Sequence, residues 1–312
     1  MSPLVEFDAL RTAAGVVDRS PRGAVLVTRP DARSFLQALV SADVDAVGDG
    51  LGVHSLLLSP QGKLDVDFRL LRVGDDAWLD CEREVGPRLA ASLLRFRVRV
   101  KVDVVDRTAE SGLLSIIGPE SVARFPGPVP EAVLHAHVAW GDARVVRTDW
   151  AGTPGLDLMG PRPAVDEIAV ALAGAGLPTI GAVAFEAFRI STGVPRQPVD
   201  VDDTTIPQEA FLERDAVSFT KGCFLGQELV CRIDSRGHVN RFLRKLTDID
   251  GAWPPTGAEI VVDGKVVGAI TSVAPADVPT GALGYVRREV VVPAPVELRW
   301  EGGHAVATAV EL

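Results

Sequence analysis

The sequence lacks several features that would assign it to a definite class of protein. It has only three cysteines in 312 residues, and none of them forms a CxxC pair. An odd number of cysteines in a chain with no export signal argues against a disulfide framework. No apolar run approaches the ~18 residues that a membrane span needs. These absences exclude a disulfide-rich secreted domain and predict that the protein does not span a membrane.

Charge and histidine content narrow the class further. The formal net charge of −10 argues against a nucleic-acid partner, because such a partner requires a basic face. The densest basic run, LRFRVRVKV at Leu94–Val102, predicts a strand with a solvated face rather than a phosphate-binding track. The five histidines form no HExxH motif, so we expect no metal site. Acids within the first ten residues argue against a signal peptide, and we therefore expect a cytoplasmic protein.

In the first two-thirds of the chain one pattern of predicted secondary structure occurs twice. The segment AVLVTRPDARSFLQAL (Ala24–Leu39) predicts a strand, a turn and a helix, and LLSIIGPESVARF (Leu113–Phe125) repeats that plan. A hairpin turned at Ser59–Lys63 lies between them, and the second half supplies matching strands and a helix. Because hairpins outnumber crossovers, the pattern predicts two related β-α-β-β-α-β units rather than a parallel doubly wound sheet.

The pattern changes after about Phe242. Helical periodicity ends there, and short strands alternate with turns such as DGK at Asp263–Lys265. Evenly spaced short strands within about 70 residues are typical of a small barrel. We therefore predict an α+β protein with one unit over residues 1–110, a second over 111–241 and a C-terminal β-barrel over 242–312, and we leave open whether the first two units interleave.

The stretch SFTKGCFLGQELVCRIDSRGH (Ser218–His238) holds two of the three cysteines. If it is extended, Lys221 and Cys223 face the same side, and a neighbouring ammonium favours the reactive thiolate form of a cysteine. Gly222 and Gly226 permit a tight turn or the close approach of a ligand. The letters LGQELVCRI then predict a helix that begins near Gly226, with free amides that suit an anion. The alternative is that Cys223 is a small buried apolar residue and that the glycines only make a turn.

Two further segments carry charged residues in patterns that suit a binding site. Asp65 and Asp67 alternate on the predicted strand of SPQGKLDVDF, so both carboxylates project from one face and can hold the ring N–H groups of a heterocycle or assist proton transfer. A solvated outer face is the alternative. Glu186 and Arg189 lie on a helix that ends at Gly193, before a long loop rich in Pro and Asp. Their i, i+3 spacing also allows them simply to pair with each other.

The block KGCFLGQE (Lys221–Glu228) resembles the signature of the YgfZ-type folate-binding proteins, which are relatives of the glycine-cleavage aminomethyltransferase (T-protein, GcvT). The order of GKLDVDFRLLR, FRISTGVPR, IPQE and RGHVNRFLR around it agrees, so the resemblance extends from about Val25 to the C-terminal barrel. It implies three domains in a ring or cloverleaf, two of them ferredoxin-like and one a β-barrel. It also implies that a tetrahydrofolate, or a one-carbon derivative of it, lies near the central opening.

The resemblance assigns roles to individual residues. Cys223 is the candidate nucleophile or transient ligand. Lys221 either favours the thiolate form of Cys223 or contacts the folate tail. Asp65 falls where the transferases keep the aspartate that positions folate, although they have adjacent acids there and this chain has DVD. Ser191 stands in place of a pterin-binding glutamate, and a neutral hydroxyl forms no charge-assisted pair with the pterin. The predicted folate contacts are Asp65, Asp67, Glu186, Arg189, Ser191, Lys221, Gly222 and Gln227.

The function implied is that of a tetrahydrofolate-binding factor that supports the assembly or repair of iron–sulfur enzymes, with those client enzymes or assembly proteins as partners. Whether it catalyses a folate-dependent one-carbon transfer stays open. The first alternative is a true aminomethyltransferase of glycine or dimethylglycine metabolism, against which Ser191 and the thiol signature speak. The second alternative is a folate-independent module that binds client proteins.

Overall fold

The computed structural model describes all 312 residues, Met1 to Leu312, as two sheets and a closed barrel with eight α-helices. The predicted α+β class with a C-terminal barrel is confirmed. No helix is long and apolar enough to cross a membrane. The helices are α1 (Pro3–Thr12), α2 (Ala32–Leu39), α3 (Gly86–Arg95), α4 (Ser121–Arg124), α5 (Arg162–Gly174), α6 (Ala182–Thr192), α7 (Glu213–Ala216) and α8 (Gln227–Arg236).

The first sheet has five strands, and every neighbouring pair in it is antiparallel. Its core includes Phe35 and Leu36 of α2 and Leu89 and Leu93 of α3, so each helix packs an apolar stripe against the sheet. In spatial order the strands are β3 (Gly52–Leu58), β4 (Leu64–Val73), β5 (Asp76–Cys81), β2 (Gly23–Thr28) and β6 (Asp103–Asp106).

The second sheet repeats this order with one strand inserted. In spatial order its strands are β8 (His137–Trp140), β9 (Ala143–Trp150), β10 (Thr153–Pro161), β7 (Ser111–Ile117), β1 (Gly15–Asp18) and β11 (Thr179–Ile180). The inserted strand is β1, which comes from the N-terminal segment and pairs with β7 and β11. The repeated sequence pattern thus corresponds to a repeated strand order. The N-terminal segment adds its strand to the second sheet. The boundaries at residues 110 and 241 stay a prediction.

The C-terminal segment forms a closed six-stranded barrel. Two of its strands, Glu259–Val262 and Lys265–Val273, are joined by Asp263 and Gly264. These two residues have φ angles of 50° and 75°, which is the geometry of a two-residue hairpin turn. Around the barrel the strands are β12 (Arg241–Gly251), β15 (Ala282–Arg287), β14 (Lys265–Val273), β13 (Glu259–Val262), β16 (Ala294–Trp300) and β17 (Gly303–Val310).

The prediction that LRFRVRVKV forms a strand is wrong. Helix α3 continues to Arg95, and the next strand, β6, begins only at Asp103. Phe96 and Val98 are 38% and 68% exposed, so the alternation of apolar residues does not mark a buried face. Arg99 has a φ angle of 58°, which is incompatible with an extended strand.

The two sheets and the barrel share one apolar core. It contains Leu56 of the first sheet, Ile117 of the second, Phe188 of α6, and Leu243 and Leu283 of the barrel. Each of these side chains is 1% exposed or less. Burial of large apolar side chains at this junction stabilises the three parts against one another, which fixes the position of any site built between them.

Candidate functional site

A cavity of about 290 Å³ is lined by residues from both sheets. The first sheet contributes His54 from β3 and Asp67 from β4, and the second contributes Thr148 and Trp150 from β9. The segment Val194–Gln197, which follows α6, lies along it as well. The predicted hairpin and the predicted loop after Gly193 therefore meet at one place.

One side of the cavity is a network of buried ion pairs that joins the sheets. Arg69 of β4 contacts Asp80 at 2.5 Å and Asp157 of β10 at 2.9 Å. Arg22 contacts Asp80 at 2.6 Å and also contacts Glu82. Burial raises the pKa of Asp80, but Arg69 and Arg22 outweigh that effect and hold the pKa well below its usual value. These charges are compensated, so the network is a rigid wall rather than a set of free ligands.

The hairpin contributes a histidine and a carboxylate that contact each other. Nε2 of His54 meets Oδ1 of Asp67, and the backbone N–H of Asp67 donates to Gln197 at 2.9 Å. Burial lowers the pKa of His54, but Asp67, and to a smaller extent Asp215, outweigh it and raise the pKa above its ordinary value. The raised pKa lets His54 hold a proton more readily than an ordinary histidine, and an imidazole that gains and loses a proton can act in proton transfer.

Three buried polar atoms of the lining have no hydrogen-bond partner in the protein: Oγ1 of Thr148, Nδ1 of His135 and Nε of Arg196. Burial lowers the pKa of His135 to about 3, so its ring is neutral and offers one donor and one acceptor. Buried polar groups in native proteins are almost always paired. The partners of these three atoms come from the contents of the cavity, and either ordered water or a polar ligand can supply them.

Aromatic side chains lie next to these polar groups. The Arg19 guanidinium lies 4.9 Å from the ring centre of Trp150 and 5.6 Å from that of Phe185. Trp150 and Phe185 meet edge to face at 5.4 Å. Trp150 lines the cavity and Phe185 packs against it outside the lining, so the cavity offers an aromatic side chain beside polar groups, and a planar heterocycle uses both kinds of contact.

Asp65 and Asp67 project from the same strand, as predicted, but only Asp67 lines the cavity. The Asp65 carboxylate pairs with Arg88 of α3 at 2.6 Å, outside it. The strand extends past the edge of the cavity, so two residues along it are enough to separate the two carboxylates.

The structure does not bring Glu186, Arg189 or Ser191 to the cavity lining. Arg189 is 2% exposed and pairs with Glu186 and Asp200 at 2.7 and 2.8 Å. It also donates to Ser272 of the barrel at 2.9 Å, so the i, i+3 pair ties α6 to the barrel. The Ser191 hydroxyl donates to the carbonyl of its own helix at Phe188, and the residue lines a separate groove.

Lys221 has a different role from the one predicted. Its ammonium donates to the carbonyl oxygens of Gln37, Val40 and Ala42 at 2.6, 2.8 and 2.8 Å, at the C-terminal end of α2. An ammonium has three N–H donors, and all three are used. Burial lowers the pKa of Lys221 to about 8, and Asp43 opposes that shift. Lys221 is thus a helix cap, with no donor left for a thiolate or a folate tail.

The rest of the signature packs against the hairpin that carries Asp67. Gly226 has a φ angle of 76°, and a Cβ there would lie 2.4 Å from the carbonyl oxygen of Ser59. Cys223 is exposed, which contradicts the alternative of a buried apolar residue. Gly222 is also exposed and has open space around it, and Gln227 is the first residue of α8. None of these three lines the cavity.

Comparison with known protein families matches residues 3–221 to the GCVT N-terminal domain. The chain belongs to this family. The predicted relation to GcvT is therefore confirmed at the level of the family, while the match does not separate YgfZ-type members from transferases.

Curated relatives of this GCVT-family chain include proteins named aminomethyltransferase. The one from Rippkaea orientalis is 26% identical over 96% of this chain and 86% of its own length. The one from Thermus thermophilus is 27% identical over 97% and 87%. The crystal structure of the glycine cleavage system aminomethyltransferase T from Bartonella henselae superposes with a TM-score of 0.87, covering 99% of this chain and 88% of that one at 22% identity. That structural likeness establishes the shared fold.

Sequence reasoning missed four cavity residues of this GCVT-family protein: His54, His135, Thr148 and Arg196. For His54 a signal existed, because a hairpin turned at Ser59–Lys63 places it diagonally across from Asp67. The other three come from the turn before β8, from β9 and from the loop after α6. No local pattern in the sequence connects them to the hairpin.

Proposed function

We propose that this protein binds a tetrahydrofolate, with the pterin ring in the cavity between the two sheets. The observation that carries the proposal is the set of unpaired buried polar atoms, Thr148 Oγ1, His135 Nδ1 and Arg196 Nε, around a cavity with an aromatic side. A pterin is planar and presents amino and ring N–H donors together with a carbonyl acceptor. Membership of the GCVT N-terminal domain family supports the same ligand.

The residues present fit such a ligand. Oδ1 of Asp67 is engaged by His54, which leaves Oδ2 to accept from the pterin donors. A cavity of about 290 Å³ lies at the lower limit for small-molecule sites, so it suits the ring system, and the glutamyl tail extends outward. Arg196, whose side chain is 42% exposed, is the candidate partner of a tail carboxylate. It replaces Arg189 and Lys221, which are fully engaged elsewhere.

Calorimetric titration with tetrahydrofolate tests this proposal. Asp67→Asn removes a charged hydrogen bond, which is worth about 1.5–3 kcal/mol or roughly a 10- to 150-fold loss of affinity. Asp65→Asn is the matched comparison, since that carboxylate pairs with Arg88 outside the cavity and its loss leaves affinity unchanged. A protein that gives no heat of binding supports the folate-independent client-binding alternative. Loss of affinity in the Asp65 variant alone places the pterin elsewhere.

For the cellular role, we propose support of the assembly or repair of iron–sulfur enzymes in the cytoplasm. The support is the resemblance of KGCFLGQE to the YgfZ-type signature and the exposure of Cys223, which leaves its sulfur free to reach a client protein. Cells that carry Cys223→Ala then lose iron–sulfur enzyme activity although the protein folds and binds folate. Full complementation by this variant contradicts a chemical role for the thiol.

Aminomethyl transfer is the second candidate, and the names of the curated relatives favour it over the first. In that reaction folate supplies the nitrogen that accepts a one-carbon unit. Asp67 and His54 would orient the ring and accept the proton that this nitrogen loses. The glycine-cleavage assay with the partner proteins separates the two candidates. Suppose that cells lacking the protein fail to cleave glycine, that re-introducing the protein restores cleavage, and that iron–sulfur enzyme activity is the same with and without the protein. That result supports the transferase.

A further inference from the structure

His54 is the group in the cavity that is best placed to exchange a proton with a ligand. Its Nε2 is fixed on Asp67, and its Nδ1 has no hydrogen-bond partner in the protein. The other imidazole of the lining, His135, stays neutral because burial lowers its pKa to about 3. The arginines of the ion-pair wall do not lose their protons near neutral pH.

We propose that His54 is the proton-transfer group of the cavity, with Nδ1 accepting an N–H of the bound folate, and that Asp67 holds His54 in position. This rests on the proposed function, since it assumes that a reduced folate occupies the cavity. Asp67 fixes the tautomer, because a carboxylate accepts only from a protonated Nε2 and so leaves Nδ1 as the acceptor. His54 therefore presents its basic nitrogen to the ligand.

The proton balance of a one-carbon transfer requires such a group. When a folate nitrogen uses its lone pair to bond a carbon, the bond from that carbon to its leaving group breaks, and the nitrogen must lose its proton. His54 receives this proton at Nδ1 and later delivers it to the leaving group. The imidazole is regenerated, and no oxidant or further reactant is needed.

The charged groups that face His54 determine the direction of its pH dependence. Asp67 on β4 and Asp215 on α7 raise its pKa, whereas burial and Arg69 lower it, and its charge in turn lowers the pKa of His135. An N–H that donates to Nδ1 favours the neutral imidazole, so folate binding releases a proton from His54. The affinity for tetrahydrofolate therefore rises as the pH passes upward through the pKa of His54, tenfold for each unit by which binding lowers that pKa.

The experiment is a titration of the full-length protein with tetrahydrofolate between about pH 6 and pH 8, in buffers of different ionisation enthalpy. We expect affinity to rise several-fold with pH and a proton to be released on binding. His54→Gln abolishes both effects, and His304→Gln, which alters an exposed histidine on the barrel, changes neither. A pH-dependent affinity that His54→Gln leaves unchanged overturns the inference.

A second measurement does not depend on the His54 variant folding. NMR titration of the imidazole resonances gives the pKa of His54 directly, and Asp215→Asn lowers it because an exposed negative charge is removed without touching the contact to Asp67. A His54 pKa that neither Asp215→Asn nor bound tetrahydrofolate shifts overturns the inference. If tetrahydrofolate gives no binding at any pH, the proposed function fails instead, so the two failures are distinguishable.

Discussion

Replacing Lys221 by methionine tests the structural role of the signature lysine. Methionine keeps an unbranched chain of similar length and removes the three N–H donors that reach Gln37, Val40 and Ala42. These carbonyls include the last acceptors of α2, where a positive charge also stabilises the negative end of the helix. The variant therefore uncaps α2 without removing apolar contact area.

The magnitude follows from the three contacts. A hydrogen bond to a charged group contributes about 1.5–3 kcal/mol, but the three bonds share one half-buried ammonium and water can reach the freed carbonyls, so we expect a loss of about 3 kcal/mol. For a chain of this size that corresponds to a fall in Tm of about 5 °C. It is a large part of a typical domain stability of about 5–15 kcal/mol.

Urea unfolding followed by circular dichroism measures this loss. Cys223→Ala is the matched control from the same segment, and because its side chain is exposed it changes stability by less than about 0.5 kcal/mol. An unchanged unfolding midpoint for Lys221→Met, together with slower labelling of Cys223 by iodoacetamide, refutes the argument. That result returns Lys221 to the role of activating the thiol.

Three further substitutions or labelling reactions have outcomes that the structure predicts. Gly226→Ala destabilises the protein by about 2 kcal/mol or more in urea unfolding, because Cβ meets backbone at a positive φ, whereas Gly222→Ala is neutral because nothing lies near it. Iodoacetamide labels Cys223 in the native protein, while Cys81 reacts only on unfolding, since burial raises its pKa. Because Asp80 has a lowered pKa, its contribution to stability is present above about pH 4 and is lost as the pH falls. We therefore expect the urea midpoint of the wild type to drop in acid and that of Asp80→Asn to drop less.

Local features of this chain could be predicted from its sequence. The two-residue turn at Asp263–Gly264 and the start of α8 after Gly226 depend on the φ angles that a few neighbouring residues adopt. The recurring strand–turn–helix pattern follows from hydrophobic periodicities that repeat along the chain. The resemblance of KGCFLGQE and the segments around it predicted the relation to GcvT that the family match confirms, because a short motif can be recognised without knowledge of the fold. Each of these is a property of adjacent residues.

The site itself was decided by tertiary structure. Asp67 lines the cavity and Asp65 does not, although both project from one strand face, because Asp65 lies beyond the edge of the cavity and pairs with Arg88 there. Lys221 acts on carbonyls about 180 residues away rather than on the thiol two residues away. Thr148 joins the hairpin only through contact between the sheets. A side chain takes the partner that packing brings within about 3 Å, and separation along the sequence does not determine that partner.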